Sequence, residues 1–451
     1  MSIALIILAA GKGTRMQSDL PKVLHRIAHA PMLWHAMRAG QSLAPERTVV
    51  VAGHGADLVT ASAHDFDPDA QVVLQSEQLG TGHAVQHAQP ALDGFDGDAI
   101  VLYGDTPFIS EDTLQAMIDA RQSHDIVVLG FEAADPGRYG RLVTQGAALE
   151  RIVEFKDATE AERDITLCNS GVVAANAQML FSLLDEVGND NASGEYYLTD
   201  IVGLARARGL SATVVRCDEA ETLGINSRAE LAAAEAAFQR RARADLLETG
   251  VTCHAPDTLH LAWDTMIGRD AEIEPNVVFG PGVTVETGAR IRAFSHLEGC
   301  HVSRGAIVGP YARLRPGAEL AEDVRVGNFV EVKNALLKEG AKVNHLSYVG
   351  DAEIGERSNL GAGTITCNYD GVFKHRTHVG QAAFIGSNTM LVAPVSVGDG
   401  AMTASGSVIT SDVPAGALAV ARAKQDIKPG LATRLFEKLK AKKSKLAKGA
   451  K

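Results

Sequence analysis

A glycine-rich turn near the amino terminus has the composition of a phosphate-binding loop. Residues 8–16 read Leu-Ala-Ala-Gly-Lys-Gly-Thr-Arg-Met and directly follow an apolar run. When such a turn opens toward a helix, its backbone N–H groups can point at a phosphate. Arg15 and Lys22 come close behind the turn and could neutralise a pyrophosphate leaving group, although each by itself could equally be a surface cation. The spacing of a P-loop is absent.

Two further segments of the first half carry polar groups at the ends of apolar runs. The segment 75–82 reads Gln-Ser-Glu-Gln-Leu-Gly-Thr-Gly and offers amide and hydroxyl groups suited to the edge of a base. Tyr103-Gly-Asp105 follows another run. An aspartate in this position suits Mg²⁺, which prefers oxygen ligands and substrate phosphates. The alternative for Asp105 is an Asx turn or a helix cap.

In the second half, cations recur at a fixed distance. Arg315 and Lys333 lie 18 residues apart, which is one full coil of the repeat described below, so they should stack on one side and could clamp a phosphate. Two solvated surface cations are the alternative. The segment 360–375 interrupts the repeat, and a loop expelled from a regular solenoid is often its functional part.

The elements that position the first group of residues are predicted to form a doubly wound (Rossmann-like) α/β sheet. Short apolar runs alternate with helical stretches, and the runs are continuous rather than alternating, as in strands buried on both faces. Ligands of such sheets bind at the carboxyl ends of the strands. The predicted strands are Ile3–Leu8, Thr48–Ala52, Val72–Leu74, Ala99–Leu102, Ile126–Leu129, Gly171–Ala174 and Ala212–Val215.

An alanine-rich stretch with spaced charges separates the two halves. Residues 229–249 predict one helix that Gly250 ends, about 30 Å long at 1.5 Å per residue. We interpret it as a linker between a domain at 1–228 and a domain at 250–451 that ends in a basic tail. Three arginines between 240 and 243 make a buried core helix the less favoured alternative. For the basic tail, from Lys438 onward, the sequence favours a solvated, disordered segment.

An aliphatic or aromatic residue returns at nearly every sixth position between Ile267 and Ile409. This period belongs neither to a helix nor to a strand meander and indicates a parallel β-helix of hexapeptide repeats. Such helices, when left-handed, are often acyltransferases. The positions are Ile267, Ile273, Phe279, Val285, Ile291, Leu297, Val302, Val308, Leu314, Leu320, Val326, Val332, Val379, Ile385, Leu391, Val397 and Ile409.

Composition excludes several classes of protein. The net charge of −12 disfavours nucleic-acid binding, and no apolar run reaches the roughly 20 residues of a membrane span. Five cysteines without a Cys-x-x-Cys pair argue against a disulfide framework and a zinc site. The apolar start lacks the basic region of a signal peptide. We therefore expect a cytoplasmic protein without membrane insertion and without a nucleic-acid partner.

The order of four motifs resembles the sugar-phosphate nucleotidyltransferases. These are Leu-x-Ala-Gly-x-Gly-Thr-Arg-Met, then Pro-Lys, then Gln-x-x-x-x-Gly-Thr, then Tyr-Gly-Asp. Joined to the hexapeptide repeat, residues 1 to about 425 resemble the bacterial bifunctional N-acetylglucosamine-1-phosphate uridyltransferases/glucosamine-1-phosphate acetyltransferases. The resemblance implies two activities in the synthesis of UDP-N-acetylglucosamine, a precursor of cell wall and lipopolysaccharide.

By position, the resemblance implies a nucleotide site and a metal site in the first domain. Arg15 and Lys22 would act in catalysis, and Asp105 with Asn226 would hold Mg²⁺. Without the resemblance, Asn226 would be interpreted as a helix N-cap. The implied contacts to UTP or UDP-N-acetylglucosamine are Leu8, Ala9, Ala10, Gly11, Lys22, Gln75, Gly80, Thr81, Tyr103, Gly104, Asp105, Gly140, Glu154, Asn169 and Asn226.

The same resemblance implies an acetyl-transfer site in the second domain. His345, one of fifteen histidines, lies in Asn-His-Leu-Ser-Tyr, a segment that resembles the catalytic base of the family; histidine suits proton transfer near pH 7. Ser387 could also help to hold an oxyanion. Because position 405 is often alanine in the family, a contact there would be through the backbone. The implied glucosamine-phosphate contacts are Arg315, Lys333, Tyr348, Asn359 and Lys374, and the implied acetyl-CoA contacts are Ala362, Asn368, Tyr369, Ser387, Ser405 and Arg422.

The resemblance also implies a homotrimer with the acetyl site between subunits, and small-molecule substrates: UTP, acetyl-CoA and glucosamine 1-phosphate. Two other interpretations compete with this one. A nucleotidyltransferase with one activity would use its β-helix only for assembly and regulation, but it would not need the His345 segment or Asn368-Tyr-Asp-Gly371. A trimeric scaffold without activity would leave Arg15, Lys22 and Asp105 without a purpose.

Overall fold

The computed structural model describes residues 2–449, with side chains described up to residue 446. The chain forms two compact units. The first comprises Met1–Asp245 and Leu261–Asp264, and the second comprises Leu246–His260 and Thr265–Lys451. The boundaries inferred from the sequence, at 228/229 and 249/250, stay a prediction about which parts fold and act independently.

The first unit is built on one mixed sheet with helices on both faces. Its strand order is β5-β4-β1-β6-β10-β7-β11-β9-β8, and β2 pairs with β3 in a separate ribbon. The strands are β1 (Ile3–Ala9), β2 (Arg26–Ile27), β3 (Ala30–Pro31), β4 (Arg47–Ala52), β5 (Gln71–Leu74), β6 (Asp98–Tyr103), β7 (Ile126–Glu132), β8 (Arg141–Gln145), β9 (Ala148–Val153), β10 (Leu167–Asn176) and β11 (Ala212–Cys217).

Helices lie between most of these strands. They are α1 (Met32–Gln41), α2 (Ala56–Phe66), α3 (Thr81–Gln86), α4 (Glu111–Arg121), α5 (Glu160–Arg163), α6 (Ala177–Leu184), α7 (Asp200–Ala207) and α8 (Arg228–Glu248). Short 3₁₀ turns cover Thr14–Met16, Lys22–Leu24, Gln89–Leu92 and Glu219–Thr222. Alternate residues of the central strands enter two separate cores: Ile6, Val101 and Val128 enter one, and Leu5, Ile7 and Ile100 enter the other. The continuous apolar runs therefore reflect burial on both faces.

All seven predicted strands are present, and the predicted fold class is confirmed. The sheet is nevertheless not wholly parallel. β10 runs antiparallel to both β6 and β7, and β8 and β9 form a hairpin. β8 is antiparallel to both β9 and β10, so β9 and β10 run in the same direction, opposite to β7. The tight turn of the β8–β9 hairpin therefore makes the reversal that β10 keeps, because antiparallel strands can be joined by a short hairpin.

The long helix α8 packs along one face rather than standing free. Ala234 and Gln239 are its buried residues. The Gln239 side chain donates to the Leu261 carbonyl at 2.7 Å and accepts from the Leu261 N–H at 2.9 Å. Glu235 accepts from the Ala28 N–H at 2.7 Å. The part of α8 within the first unit is therefore held to it by specific polar contacts.

The second unit is a left-handed parallel β-helix whose strands stack in three ladders. One ladder runs β12-β14-β17-β20-β23-β25-β27-β30-β33-β35, and the other two share β24 and β26, which continue around a corner. A 3₁₀ turn covers Pro256–Thr258. The strands are β12 (Thr252–Cys253), β13 (Met266–Ile267), β14 (Glu272–Ile273), β15 (Val278–Phe279), β16 (Thr284–Val285), β17 (Arg290–Ile291), β18 (His296–Leu297), β19 (Cys300–Val302), β20 (Ile307–Val308), β21 (Arg313–Leu314), β22 (Ala318–Leu320), β23 (Arg325–Asn328), β24 (Glu331–Leu337), β25 (Lys342–His345), β26 (Tyr348–Ile354), β27 (Asn359–Leu360), β28 (Ile365–Cys367), β29 (Thr377–Val379), β30 (Phe384–Ile385), β31 (Met390–Val392), β32 (Val395–Val397), β33 (Met402–Thr403), β34 (Val408–Ile409) and β35 (Leu418–Ala419).

The repeating aliphatic and aromatic residues form the core of this helix. Of the predicted positions, Ile273 to Val332 and Val379 to Ile409 are buried, and only Ile267, on the second strand of the unit, is half-buried. Ile273 pairs with Ile291 one coil later, and Val326 pairs with Val343. The segment 368–376 interrupts the stacking, because Ile354 pairs with Val379. The predicted interruption therefore lies between β28 and β29.

The basic tail differs from the expected disordered segment. It forms helix α9 (Leu431–Gly449). Leu431, Leu435, Leu439 and Leu446 recur at helical spacing, a pattern that outweighed the charge in deciding the conformation. Among the described residues, no helix is long and apolar enough to cross a membrane.

A core substitution tests the role of the repeat. Leu314 is fully buried, whereas Arg325 on the neighbouring ladder is exposed. We expect Leu314→Ala to lower the free energy of unfolding of the β-helix by about 2–5 kcal/mol, since it leaves a cavity in a packed core. Urea unfolding followed by circular dichroism measures this. Arg325→Ala is the control and should change stability by about 0.5 kcal/mol or less. Equal midpoints for the two variants would contradict the proposed core.

Candidate functional sites

The first candidate site lies where parallel strands of the sheet end together. β1 pairs in parallel with β4 and β6, so the turn after β1 and the Tyr103-Gly-Asp105 segment reach the same edge. The Gly104 N–H donates to the Leu8 carbonyl at 3.0 Å and joins the two segments directly. Ala9 and Ala10 are buried behind them. The fold therefore brings the predicted phosphate turn and the predicted metal ligand together.

Glycine is required in the turn for two different reasons. Gly13 has φ of +56°, and an added Cβ would lie 2.6 Å from the Lys22 Cβ, so a side chain would displace Lys22. At Gly11 an added Cβ would meet nothing within 4 Å. Packing does not explain Gly11, and its open, exposed backbone can be approached closely by a ligand.

Lys22 is the centre of the polar group at this edge. Its ammonium group contacts the Asp105 carboxylate and donates to the Asn226 amide oxygen at 2.9 Å. The side chains of Lys22 and Asp105 are only 13% and 18% exposed. Asn226 is held in turn, because its N–H donates to Glu230 at 2.6 Å and the Ile225 N–H donates to the Asp105 carbonyl at 3.0 Å. Three residues distant in sequence thus converge on one cation.

The two oxygen donors at this point fit a divalent cation. Asp105 and Asn226 present a carboxylate and an amide oxygen to a common position that already holds positive charge. Mg²⁺ typically binds through one or two carboxylates together with phosphate oxygens and water. Within residues 2–449, no cluster of three or more acidic, histidine or cysteine side chains suited to a metal occurs. A site with two protein ligands therefore suits an ion that arrives with substrate phosphates.

Next to this group lie the residues predicted to contact a base. The Gln75 side chain is buried and donates to the Gly80 carbonyl at 3.3 Å. Gly80 has φ of +126° and lies against the Tyr196 backbone. Thr81 accepts from the Leu198 N–H at 3.1 Å. Gln78, which sequence reasoning did not single out, donates to the Ala10 carbonyl at 3.1 Å and ties this segment to the phosphate turn.

The residues predicted to contact the sugar also cluster. The Asn169 N–H donates to the Gly140 carbonyl at 2.9 Å, and a Cβ at Gly140 would lie 3.5 Å from both Asn169 and Glu154. Burial raises the pKa of the Glu154 carboxyl, while a hydrogen bond from Thr199 opposes that shift. Burial raises the pKa of the Tyr103 hydroxyl, and the negative charges of Glu154 and Asp105 raise it further. The hydroxyl therefore stays protonated and can donate a hydrogen bond.

Arg15 differs from Lys22 in its surroundings. It lies exposed in the 3₁₀ turn that follows the glycines. An exposed arginine beside a phosphate turn is accessible to an incoming triphosphate. The structure thus brings Lys22, Asp105 and Asn226 into contact and leaves Arg15 at the rim.

The second candidate site is a group of cations on the β-helix. The pKa of Lys333 is lowered, first by a hydrogen bond with Lys374 and by the charge of Lys374, and then by the charge of Arg315. Burial of Lys333 has a smaller effect on this pKa. Arg315 donates to Glu331 at 2.8 Å, and this hydrogen bond raises the pKa of Arg315. Tyr348 is also close enough to raise that pKa. Three cations therefore gather, with Glu331 paired to Arg315 and Asp351 near the two lysines. Cations held this close together are an arrangement that can bind a phosphate.

Asn359 is placed differently from the other predicted sugar-phosphate residues. It begins β27 and pairs with Lys342 and Phe384 in the ladder that carries β25. The electrostatic contacts link Arg315, Lys333, Tyr348 and Lys374. The contact of Asn359 with the sugar phosphate stays a prediction.

His345 ends β25 with one defined partner. Its Nδ1 lies 2.9 Å from the Asn328 side-chain oxygen, and the two residues are register partners on neighbouring coils. The oxygen can only accept, so Nδ1 carries the proton and Nε2 is left with a free lone pair. An exposed imidazole in this tautomer can accept a proton at Nε2. Tyr348 begins the next strand three residues later.

The residues predicted to contact acetyl-CoA lie at corners of the coils and on the interrupting loop; four are exposed, Ala362 is half-buried and Asn368 is buried. The Asn388 N–H donates to Ala362 at 2.7 Å, and the Gly406 N–H donates to Ser387 at 2.8 Å, so successive coils stack these positions. The Arg422 guanidinium donates to the Ser405 carbonyl at 3.0 Å. Tyr369 is 60% exposed, and its hydroxyl donates to the Gly371 carbonyl at 2.6 Å.

A carboxylate that the sequence interpretation missed organises this region. Asp351 is buried, accepts from Asn334 at 2.5 Å and contacts the Asn368 side chain, and the charges of Lys374 and Lys333 also favour its ionised form. Asn334, Asp351 and Asn368 follow one another at intervals of 17 residues, the same interval that separates Asn328 from His345. The spacing of about one coil that pointed to Arg315 and Lys333 would have found both sets.

The chain is similar to known proteins both in one domain and over its whole length. A MobA-like NTP transferase domain matches residues 5–170. The chain is 72% identical over 449 residues to the Bifunctional protein GlmU of Ruegeria sp. (strain TM1040), with 100% of both chains covered. It is 69% identical over 450 residues to that of Roseobacter denitrificans, again with 100% of both covered.

A third relative is the Bifunctional protein GlmU of Ruegeria pomeroyi, 71% identical over 444 residues, covering 98% of this chain and 99% of the relative. A solved UDP-glucose pyrophosphorylase complexed with UDP-glucose matches 53% of this chain and 100% of its own at 20% identity, with a TM-score of 0.44. Identity of 69–72% over whole chains shows that the chain belongs to the family of bifunctional GlmU proteins.

Proposed function

We propose that the chain catalyses two successive transfers in the synthesis of UDP-N-acetylglucosamine. The second unit transfers an acetyl group from acetyl-CoA to glucosamine 1-phosphate. The first unit then transfers uridylyl from UTP to N-acetylglucosamine 1-phosphate and releases pyrophosphate. The observation that supports this best is the presence, in one chain, of two separate polar sites with different chemistry: the Lys22 group and the cationic group beside His345.

In the uridyl transfer, an oxygen of the sugar phosphate attacks the α-phosphorus of UTP in line with the leaving pyrophosphate. The attacking oxygen is already anionic, so no general base is needed. Lys22 and Arg15 neutralise charge on the phosphates, and the open backbone of Gly11 contacts them. Asp105 and Asn226 would hold Mg²⁺, which supplies further positive charge to phosphate oxygens when bound.

In the acetyl transfer, the amine of glucosamine 1-phosphate attacks the thioester carbonyl of acetyl-CoA. His345 Nε2 accepts the proton from the amine, and CoA leaves as the sulfur–carbon bond breaks. Arg315, Lys333 and Lys374 bind the phosphate and fix the amine relative to His345. Asn328 holds the imidazole in the tautomer that can accept this proton.

We also propose that the protein assembles as a homotrimer with its acetyl site shared between subunits. An exposed column of aromatic rings on the β-helix supports self-association. Phe294, Tyr311 and Phe329 stack at centroid distances of 5.0 Å and 5.3 Å, and each is about half exposed. Contiguous exposed apolar side chains of this size commonly mark interfaces. Cytoplasmic location remains part of this proposal.

Replacing Asp105 tests the independence of the sites. Asp105→Ala removes a ligand of the metal and the carboxylate that holds Lys22, so uridyl transfer should fall by about 10² or more. Pyrophosphate release measures this rate. Acetyl transfer by the same protein is the internal control and should stay at the wild-type rate. Loss of both activities in a folded variant would contradict the two-site account.

Replacing His345 tests the proposed base. His345→Ala should slow acetyl transfer by about 10² or more, because the amine then lacks a proton acceptor. Asn328→Ala is a graded companion that keeps the imidazole but releases its tautomer, so it should cause a smaller loss, about tenfold. CoA release measures both, and uridyl transfer is the control. A His345→Ala enzyme with nearly normal acetyl transfer would make the histidine structural.

The cationic group predicts a pH dependence of phosphate binding. Lys374 lowers the pKa of Lys333, so Lys333 loses its charge at a lower pH than an ordinary lysine. Binding of a sugar phosphate should therefore weaken as pH rises through that lowered pKa. Lys374→Met removes the neighbouring charge, raises the pKa of Lys333 and should move the weakening to higher pH.

The measurement is the inhibition constant of N-acetylglucosamine 1-phosphate against acetyl transfer across alkaline pH, since this sugar has no titrating amine. Lys338→Met, on the same β-helix but paired with Glu353, is the control and should leave the profile in place. Identical profiles for Lys374→Met and the wild type would contradict the assignment of Lys374 to the cationic group.

A further inference from the structure

Helix α9 has no part in either reaction, yet it presents an organised surface. Four of its large apolar side chains are exposed, and Leu431 at its start is half-buried: Leu435 is 51% exposed, Phe436 64%, Leu439 61% and Leu446 67%. A helix this apolar on one side would ordinarily bury that side against a partner. Within the described residues, the fold leaves it uncovered.

Helix α9 carries most of its apolar residues on one side and is strongly cationic. At about 100° per residue, Leu431, Leu435, Leu439 and Leu446 fall within one arc of about 80°, and Phe436 lies about 60° beyond it. Lys442 falls inside the leucine arc, and Lys443 falls between that arc and Phe436. The other basic residues up to position 445 lie outside this apolar side: Arg434, Lys438, Lys440 and Lys445. Between residues 431 and 449 the sequence has seven lysines or arginines and a single acidic residue, Glu437.

We propose that α9 docks the protein on an anionic lipid membrane, lying in the plane of the interface. Its leucines and Phe436 enter the boundary between headgroups and acyl chains, and its lysines contact lipid phosphates. Lys442 and Lys443, which lie among the apolar residues, can extend toward the headgroups, since a lysine stem tolerates apolar surroundings while its ammonium stays in water. With 19 residues, the helix extends about 28 Å along the surface.

The charge pattern selects this partner over two others. A nucleic acid would satisfy the lysines but would leave the leucine arc in water. A second copy of α9 would cover the leucines but would bring two strongly cationic helices together. An anionic lipid surface satisfies both faces at once. The charge also contrasts with the net −12 of the whole chain, so attraction to acidic lipids depends on this helix rather than on the body of the protein.

Flotation of the full chain with vesicles tests the proposal. The vesicles contain phosphatidylcholine with one quarter phosphatidylglycerol, or phosphatidylcholine alone. We expect flotation only with the anionic vesicles, and its loss at about 0.5 M salt, where charge attraction is screened. Two variants alter the helix: Leu435→Gln with Leu439→Gln changes the apolar arc, and Lys442→Gln, Lys443→Gln and Lys445→Gln together remove charge.

Both variants should weaken vesicle binding by about tenfold or more, because marginal apolar and ionic contributions act together. Ser444→Ala lies on the same helix without altering either feature and should bind like the wild type. Uridyl and acetyl transfer rates should be unchanged in all three, which shows that they fold. Vesicle flotation does not depend on enzyme activity, so a negative flotation result is distinguishable from failure of the proposed function.

Several outcomes would overturn the proposal. One is absence of flotation with anionic vesicles, and another is flotation that neither helix variant weakens. Unchanged binding by the leucine variant would mean adsorption by charge alone. A change in sedimenting mass of that variant without lipid would show that a second copy covers the leucines. Binding of single-stranded RNA that the lysine variant loses, without vesicle binding, would assign the helix to nucleic acid.

Discussion

Parallel strand pairing determines where the groups of both sites can lie. In the first unit, β1, β4 and β6 run in the same direction, so the residues after each strand meet at one edge. In the second unit, each strand pairs with the strand one coil later, so residues about 17 or 18 positions apart become neighbours. The buried apolar ladder maintains that register, because a slip by one residue would turn its side chains outward.

The two sites present cations to phosphate groups in different ways. In the first, the Lys22 ammonium is paired with the Asp105 carboxylate. In the second, Lys333 and Lys374 lie close enough together that the pKa of Lys333 is lowered, although Asp351 opposes that shift. We propose that a bound phosphate relieves the repulsion between these two lysines, which would favour an anionic substrate there.

Much of the fold followed from the periodicity of the chain. The β-helix core and the seven buried strands were predictable because burial on both faces leaves a direct signature in hydrophobic residues. The antiparallel β10 was not, since a run such as Gly171–Ala174 has the same composition in either direction. Helix α9 was missed because its charge was given more weight than the spacing of its leucines.

The general chemistry of the two sites was predictable from residue patterns, but their substrates were not. Glycine turns and one-coil spacing indicated phosphate binding, whereas UTP and glucosamine came from family resemblance. Asn328 and Asp351 have no distinctive local pattern as a lone amide and a lone carboxylate. Only their distance of about one coil from His345 and Asn368 marks them in the sequence, and the structure shows the contacts that this spacing produces.

The central claim is that one chain carries two chemically distinct active sites. Its most direct test is release of CoA by the purified full chain given acetyl-CoA and glucosamine 1-phosphate without UTP, followed with a thiol reagent. The account predicts release that depends on the sugar phosphate. Absence of release, while the same preparation forms pyrophosphate from UTP and N-acetylglucosamine 1-phosphate, would contradict it and reduce the β-helix to a scaffold.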